Sequence, residues 1–249
     1  MAKIQSIVRI KGSIDGVTYT EGVNGKLSKS RTTLSKEKMD SNPNFHVLRL
    51  LQSELGDYSR FGGLLRSGVR AELTRIKAFR CVQRLNKLLN AIKKEDLLHA
   101  MGERKVATGL QNARGKNLLM EFDFYGRTTV SALVQKKITV DIASGEARVE
   151  RFNPILNLIY PATATHVAFT SIFIGIDADE ELVSTTKSEE VYLPIVNAEA
   201  DLILQTDGLP ATTKALFYVV QVVFVAETNG FRENVGIDSA ALTIIEIKL

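Results

Sequence analysis

Ten consecutive residues near the end of the chain are apolar on both faces of a strand. Residues 216–225 include a single strongly polar side chain, Gln221. A strand with one face in water alternates apolar and polar residues, and this segment does not alternate. As an exposed edge strand it would aggregate. The segment therefore predicts a strand that is central in its sheet or covered by other elements.

The same half of the chain contains further strand patterns separated by turn signals. Turns are indicated by Ala143-Ser144-Gly145-Glu146, Asp207-Gly208 and Asn229-Gly230. Strands at this spacing, with little helix between them, predict an antiparallel β-sandwich. We expect strands at 118–124, 137–142, 147–152, 166–176, 189–196, 202–205, 215–226 and 242–248.

Residues 44–95 follow a helical pattern instead, because apolar residues recur there every three or four positions. Asn42 is expected to cap the first helix, with Pro43 at its first position. Gly62-Gly63 indicates a break or a close contact. Three amphipathic helices are predicted from three apolar sets: Leu48, Leu51 and Leu55; Leu65, Val69, Leu73 and Ile76; and Val82, Leu85, Leu89 and Ile92.

The opening of the chain predicts a small β-meander of two or three strands. Ile4, Val8 and Ile10 alternate imperfectly with polar residues, and turn signals follow at 12–16 and at Asn24-Gly25. With 249 residues, one or two domains are expected. Our interpretation is an α+β protein in which residues 1–116 form a basic β-hairpin plus helical module. Residues 117–249 form an acidic antiparallel β-sandwich domain, with the boundary near residue 116.

Charge is distributed unevenly along the chain. Residues 1–127 contain 24 Lys and Arg against 12 Asp and Glu, whereas residues 128–249 contain 8 against 16. The first part suits a polyanion and the second should avoid one. Such a distribution also allows copies of the chain to attract one another head to tail.

A stripe of basic residues is predicted on the third helix. Lys77, Arg80, Arg84 and Lys87 are spaced three and four apart, opposite the apolar residues, which would give a basic face about 15 Å long. Arg66 and Arg70 form another pair one turn apart. These six residues are our candidate contacts for a polyanion or an acidic partner, and a solvated helix face is the alternative.

Few residues suggest catalysis or metal binding. His46, His99 and His166 lie far apart and lack zinc-protease spacing. Cys81 is the single cysteine, which excludes intrachain disulfides and zinc sites built from several thiolates, and we expect it to be a buried small apolar residue. We therefore predict no enzyme activity, cofactor or small-molecule substrate.

One acidic cluster leaves two interpretations open. Asp177, Asp179, Glu180 and Glu181 follow a predicted strand and precede another. Their oxygens could hold a calcium ion, although the Gly and spaced Glu of an EF-hand loop are absent. A solvated turn is the other interpretation, and such a turn could meet the basic part of a neighbouring copy.

The sequence carries no targeting or membrane signal that we recognise. Met1-Ala2-Lys3-Ile4 is not followed by a long apolar segment, and no stretch approaches the roughly 18 apolar residues that cross a bilayer. We expect a protein of the cytoplasm, or of a particle assembled there, that does not bind membranes.

Five short segments spread over most of the chain carry a family resemblance. They are Ile10–Tyr19 (IKGSIDGVTY), Asn42–Phe45 (NPNF), Gly102–Arg104 (GER), Ala107–Leu110 (ATGL) and Tyr160–Val167 (YPATATHV). In these segments the chain resembles a family of proteins of unknown function that recurs in Bacteroidota genomes. The resemblance implies no activity, cofactor or catalytic residue.

The sequence therefore favours a non-enzymatic structural protein that forms homo-oligomers, such as a filament, a shell or a virion-like particle. The alternative is a nucleic-acid-associated protein whose basic helical module contacts phosphates without reading bases. An enzyme ranks third. A sandwich that binds carbohydrate or protein also stays open, because fold alone does not determine function.

Overall fold

The computed structural model describes residues 2–3, 12–14, 17–22, 25–30, 35–235 and 239–249. The chain divides into two compact units, Met1–Arg49 and Leu50–Leu249. The predicted division near residue 116 is therefore not where the structure divides, since that residue lies inside the second unit. Ile4, Val8 and Ile10 of the predicted meander lie outside the described residues.

The first unit contains a small antiparallel sheet, as the turn signals predicted. Its strands are paired in the order β1-β4-β3-β2, and Gly22 of β3 pairs with Gly25 of β4 across the predicted turn. One helix, α1, follows, and Ser35 caps it by accepting the Lys38 N–H at 3.2 Å. The elements are Ala2–Lys3 (β1), Gly12–Ile14 (β2), Val17–Gly22 (β3), Gly25–Ser30 (β4) and Lys36–Ser41 (α1).

The predicted cap at Asn42 is present in a slightly different form. Its side chain accepts the Asn44 N–H at 3.0 Å and begins a 3-10 turn, Pro43–Phe45, that leads directly into a long helix. That helix and those after it are His46–Gly68 (α2), Arg70–Arg75 (α3), Cys81–Ile92 (α4), Val106–Gln111 (α5), Ala113–Leu119 (α6), Val130–Leu133 (α7) and Pro154–Asn157 (α8).

The strand predictions for the second half are largely confirmed. The segment 118–124 is the exception, because α6 continues to Leu119 and the chain then turns at Glu121, whose φ is 63°. The strands are Thr139–Asp141 (β5), Glu146–Phe152 (β6), His166–Asp177 (β7), Leu182–Lys187 (β8), Val191–Pro194 (β9), Ala200–Gln205 (β10), Ala215–Thr228 (β11), Phe231–Asn234 (β12) and Ala241–Lys248 (β13).

These strands form two antiparallel sheets. The smaller one has the order β10-β6-β5. In the larger one, the long strands β7 and β11 pair over eleven residues, from Ala215 with Ile176 to Val225 with His166. The outer edge of β11 is paired by β13 and β12, and that of β7 by β8 and β9. β11 is thus central, as its apolar sequence predicted.

Alternate residues of β11 enter two different apolar cores. Phe217, Val219 and Val223 pack with buried residues of the helices, including Leu65 and Leu89. The intervening residues, among them Tyr218, Val220 and Val222, pack with the smaller sheet through residues such as Val149 and Leu204. The two sheets therefore form the predicted sandwich, and the helices cover the outer face of its larger sheet.

The one polar residue of the apolar segment is also accommodated. Gln221 is 4% exposed and points to the helical side, where its side-chain amide donates to the Tyr125 hydroxyl at 2.5 Å. The Tyr125 hydroxyl donates in turn to the backbone carbonyl of Glu72 at 3.3 Å. The Gln221 amide and the Tyr125 hydroxyl are thus each hydrogen-bonded within the core.

The helices differ from the prediction in their boundaries. Gly56 and Gly62-Gly63 do not interrupt α2, which continues for 23 residues. Gly62 is instead a close contact, since a Cβ there would lie 3.0 Å from Leu89 Cδ1 of α4. Leu51 and Leu55 of the predicted apolar stripe remain 44% and 45% exposed. None of the helices in the described ranges has the length and apolar character needed to cross a bilayer.

Candidate functional site

The six basic residues singled out from the sequence are distributed over three helices and one connection. Arg66 lies in α2, Arg70 begins α3, and Arg84 and Lys87 lie in α4. Lys77 and Arg80 lie in the connection between α3 and α4, because α4 begins only at Cys81. The prediction of one continuous helical face from Lys77 to Lys87 is therefore wrong.

Tertiary contacts explain why the helix is interrupted there. The Phe79 N–H donates to the Tyr125 carbonyl at 2.8 Å, a bond that replaces an intrahelical one. Arg80 then adopts a left-handed conformation with φ 45° and ψ 37° at the start of α4. Helical periodicity continues across this connection in the sequence. In the structure, the Tyr125 carbonyl in the segment after α6 accepts the Phe79 N–H, and α3 and α4 are two separate helices.

Arg84 is used inside the protein. Its guanidinium donates to the carbonyls of Phe79, Asp123 and Phe124 at 3.0, 2.8 and 2.9 Å. It also lies 5.1 Å from the ring centroid of Phe122. Since three donors are committed to the backbone, we assign Arg84 to holding the 79–84 connection against the segment that follows α6.

Arg66 is also partly engaged. Its Nε donates to the Gly62 carbonyl one turn earlier in α2, at 3.0 Å, and the side chain is half-buried. The remaining four candidates, Arg70, Lys77, Arg80 and Lys87, are exposed. Of these, Arg70, Lys77 and Lys87 make no ion pair within the described ranges. They are the members of the set that an external partner can reach.

An aromatic side chain lies among these charges. Phe79 is 48% exposed, and the guanidinium carbons of Arg80 and Arg127 lie 5.3 and 5.6 Å from its ring centroid. We call Phe79, Arg80 and Arg127 the Phe79 cluster. A guanidinium over a ring face is attracted by the ring, which holds the arginine side chain in a defined position. Sequence spacing did not indicate Arg127, which lies 47 residues beyond Arg80.

The Phe79 cluster lies beside the start of α4. No side chain caps this helix, whose first residue follows Arg80 directly. Helix N-termini carry a partial positive charge, so the local potential adds to that of the arginines. The arrangement can attract anionic groups through charge and offers one apolar ring for stacking.

Cys81 does not supply a nucleophile here. The side chain is buried, as predicted, and burial raises the pKa of its thiol, although Arg84 and Arg66 act in the opposite direction. A thiol with a raised pKa carries little thiolate at neutral pH, and thiolate is the reactive form. Cys81 is therefore a small apolar residue at the start of α4.

The acidic cluster after β7 is engaged by a lysine. Lys214 Nζ lies 2.9 Å from Asp177 Oδ2 and 3.5 Å from Asp179 Oδ2. The hydrogen bond from Lys214 lowers the pKa of Asp177, and N–H groups of Asp179 and Glu180 act in the same direction. Within the ranges described, no three His, Cys, Asp or Glu residues converge as metal ligands.

The three histidines have separate surroundings. His99 Nδ1 lies 2.8 Å from Asp96 Oδ2, and His166 stacks on Tyr192 with a centroid distance of 4.7 Å and an interplanar angle of 6°. His46 is exposed at the start of α2. No two of them form a pair that would share a proton or a metal ion in the described residues.

A cleft that sequence reasoning did not find lies between the helices and the larger sheet. Its volume is about 480 Å³, and Phe61, Leu110, Lys116, Asp179 and Lys214 are among the residues that line it. This size is typical of small-molecule sites. Its lysines already face acids, since Lys214 pairs with Asp177 and Asp179 and Lys116 lies 3.7 Å from Glu246. The cleft therefore presents balanced charge.

Comparison with known proteins gives no further identification. No protein-family model matches the chain, and searches of curated proteins and of solved structures return no match.

Proposed function

We propose that this chain is a non-enzymatic structural protein that assembles into homo-oligomers through oppositely charged faces of its second unit. Supporting this, residues 50–127 contain 15 Lys and Arg against 8 Asp and Glu, and residues 128–249 contain 8 against 16. The helices of residues 50–127 cover one face of the larger sheet, and the smaller sheet covers its other face.

The observation that carries the proposal is a set of exposed charges without ion-pair partners in the described residues. On the helical side these include Arg70, Lys77, Lys87 and Lys94. In the sheet segment they include Glu150, Glu189 and Asp207. Two copies that meet helical side to sheet side bring opposite charges together, which sets their orientation and speeds their encounter.

Sedimentation velocity at low and high salt tests this proposal. Large species are expected at about 0.05 M salt and smaller ones at about 0.5 M, because screening of surface charges becomes severe in that range.

Charge-reversal variants test the two faces. Arg70→Glu/Lys87→Glu and Glu150→Lys/Glu189→Lys should each weaken assembly, and a mixture of the two variants should associate. Lys137→Glu/Lys248→Glu, which makes the same change in net charge as the first variant, should assemble normally. A monomer at both salt concentrations and high protein concentration would rule the proposal out.

The Phe79 cluster favours a second candidate, in which the basic module contacts nucleic-acid phosphates without base specificity. Exposed Lys77 and the cluster offer several cations near one aromatic ring. Each phosphate neutralised contributes about 0.9 to the slope of log affinity against log salt on duplex DNA. The number of phosphates that the protein contacts can therefore be measured from the salt dependence of its affinity.

Fluorescence anisotropy with duplexes of unrelated sequence tests the second candidate. Lys77→Glu/Arg80→Glu should weaken binding equally for all sequences and reduce the salt slope. Phe79→Ala should weaken binding to single strands more than to duplexes, since the ring stacks on unpaired bases. Arg84 is unsuitable for this test because its loss disturbs the backbone it holds. Unchanged affinity in Lys77→Glu/Arg80→Glu would remove this surface from consideration.

A further inference from the structure

Two leucines protrude from the turn between α4 and α5. Leu97 and Leu98 are each 81% exposed. Large apolar side chains in a fixed, water-exposed position are typical of interaction surfaces. We call residues 96–99 the leucine turn.

Buried Asp96 fixes the leucine turn. Its carboxylate accepts the backbone N–H groups of Leu98, His99 and Lys105 at 3.0, 3.2 and 2.9 Å. It also contacts His99 Nδ1 at 2.8 Å. Because the two leucines are already held in one conformation, a partner that binds them loses little additional conformational entropy.

An apolar slot of matching size lies on the other side of the molecule. It has a volume of about 130 Å³ and lies between the two sheets, where β9, β10 and α8 meet. One leucine side chain is close to filling a space of this size. Its lining is almost entirely apolar: Phe152, Pro154, Val191, Leu193, Pro194, Val196, Ala198, Ala200 and Leu202, with Asp201 at one side.

The rim of the slot is apolar as well. Val196, which lines the slot, is 48% exposed, and Ile155 and Leu156, which follow Pro154 in α8, are 42% and 66% exposed. The side-chain amide of Asn153 donates to Asn197 Oδ1 at 2.8 Å, which ties α8 to the loop after β9. The slot is therefore built from fixed elements and surrounded by surface that gains from being covered.

Among the residues that the structure describes, the leucine turn does not reach the slot of its own copy. The leucine turn connects helices that pack in the core on one side of the larger sheet, and the slot is lined by residues of the core on the other side. Leu97 and Leu98, each 81% exposed, are not covered by any of the residues that the structure describes. The charges beside the two patches are opposite. Exposed Lys94 precedes the leucine turn, and exposed Glu189 precedes Val191 of the slot, so a lysine of one copy would face a glutamate of the next.

We propose that the leucine turn of one copy inserts one leucine into the apolar slot of the next copy, while the other leucine covers the rim. This inference rests on the proposed homo-oligomeric function and names its interface. Two different patches on opposite sides make a head-to-tail contact, and repetition of that contact gives a ring if the rotation closes and a filament if it does not.

Complementation between two variants of the full chain tests the interface. Leu97→Asp/Leu98→Asp removes the inserted groups, and Ala198→Trp obstructs the slot. Each variant alone should associate at least about tenfold more weakly than the unaltered chain at low salt. An equimolar mixture should form a one-to-one dimer and nothing larger, because one intact turn meets one intact slot. Leu209→Asp, which alters a 48% exposed leucine elsewhere, should assemble normally.

The outcomes separate this interface from the broader proposal. Circular dichroism and thermal melting establish that both variants are folded. If the unaltered chain assembles and the two variants assemble equally well, the interface is overturned while the structural function stands. Larger oligomers in the mixture, or no association in it, also overturn the interface. An unaltered chain that remains monomeric overturns both proposals.

Discussion

At the scale of single residues, the structure depends on a buried ion pair between α2 and the end of α4. Glu54 and Lys93 are 2% and 3% exposed and bind one another. Glu54 Oε1 also accepts the Gly102 N–H at 2.8 Å. Burial raises the pKa of Glu54, but the bonds from Lys93 and Gly102 outweigh it, and the pKa lies below its usual value. The pair therefore anchors both the start and the end of the 93–105 segment.

We expect Glu54→Gln to lower the free energy of unfolding at pH 7 by about 3–5 kcal/mol, since Lys93 then keeps a buried charge without its partner. A carboxyl whose pKa is lowered on folding stabilises the fold above its ordinary pKa of 4.5. That contribution disappears as the pH falls through the folded pKa. The difference between unaltered and Glu54→Gln chains should therefore shrink below about pH 4.5 in denaturant titrations.

Two results would contradict this account. One is a difference that stays constant between pH 7 and acid pH. The other is a double variant, Glu54→Gln/Lys93→Met, that is less stable than Glu54→Gln, because removal of the lone cation should recover part of the loss.

Arg84 shows the limit of local sequence reasoning at this scale. Spacing assigned it to a basic stripe, but two of its partners, Asp123 and Phe124, lie 39 and 40 residues away. Spacing along a helix indicates which residues share a face. It does not indicate which backbone carbonyls from distant parts of the chain come within hydrogen-bonding distance. The same limit applied to Arg127, whose place beside Phe79 depends on the path of the chain after α6.

Arg84→Met should reduce the free energy of unfolding by about 2–4 kcal/mol, because three carbonyls lose a charged donor. Thermal or chemical denaturation measures the loss. Lys87→Met, an exposed position three residues later in α4, is the matched control and should change stability by less than about 0.5 kcal/mol. Equal effects at the two positions would show that Arg84 does not hold the 79–84 connection.

At the scale of elements, glycine could not be interpreted from sequence alone. Gly56, Gly62 and Gly63 lie inside α2, where tertiary packing overrides their low helix propensity. Of the two alternatives predicted for Gly62-Gly63, a break or a close contact, the structure shows the close contact at Gly62. Gly109 of α5 has a different role, since a Cβ there would lie 2.2 Å from the Ile92 carbonyl oxygen. One residue type thus marks a tolerated helix position in one place and a close backbone approach in the other.

Two alanine substitutions separate these roles. Gly56→Ala should stabilise the protein by about 0.5–1 kcal/mol, because a Cβ there meets no atom within 4 Å and alanine favours helix. Gly109→Ala should destabilise it by about 1–3 kcal/mol, because α5 must move away from α4. Chemical denaturation of both variants in the same buffer measures the two effects. Effects of the same sign would contradict this assignment.

The strand patterns were more informative than the helix boundaries. Runs of strand-forming residues bounded by turn residues located β6, β7, β10, β11 and β13 closely, since both signals are carried by neighbouring residues. The segment 118–124 failed because its apolar residues fit either a strand or the end of a helix followed by a turn. The structure combines the two: α6 ends at Leu119, and Asp123 then forms an isolated antiparallel bridge with Thr243 of β13. Beside that bridge, the Phe124 N–H donates to the Leu242 carbonyl at 2.8 Å.

At the scale of the whole molecule, the compact units do not follow the change of composition and charge near residue 116. Composition and charge change there, but the helices before it bury Phe61, Leu65 and Leu85 against the sheet formed after it. A change in surface charge does not require a change of core. The sandwich was predicted correctly, while its third layer, the helices, was assigned to a separate module.

Coverage on both faces predicts where the second unit is most stable. Amides of β11 between Leu216 and Val222 are paired on both edges, to β7 and β13, and lie between two cores. Their exchange should require global unfolding and be the slowest among the residues that the structure describes. Hydrogen–deuterium exchange with peptide resolution measures this. Faster exchange in β11 than in the short helices α5 and α6 would contradict it.

The alternation of β11 between two cores also has a genetic consequence. A destabilising allele at position 217, 219 or 223 should find its suppressors among the helical residues that share its core, such as those around Leu65 and Leu89. An allele at 218, 220 or 222 should find them in the smaller sheet, around Val149 and Leu204. Adjacent codons of one strand would thus belong to separate suppressor groups, and the parity of the residue number would decide which group restores the protein.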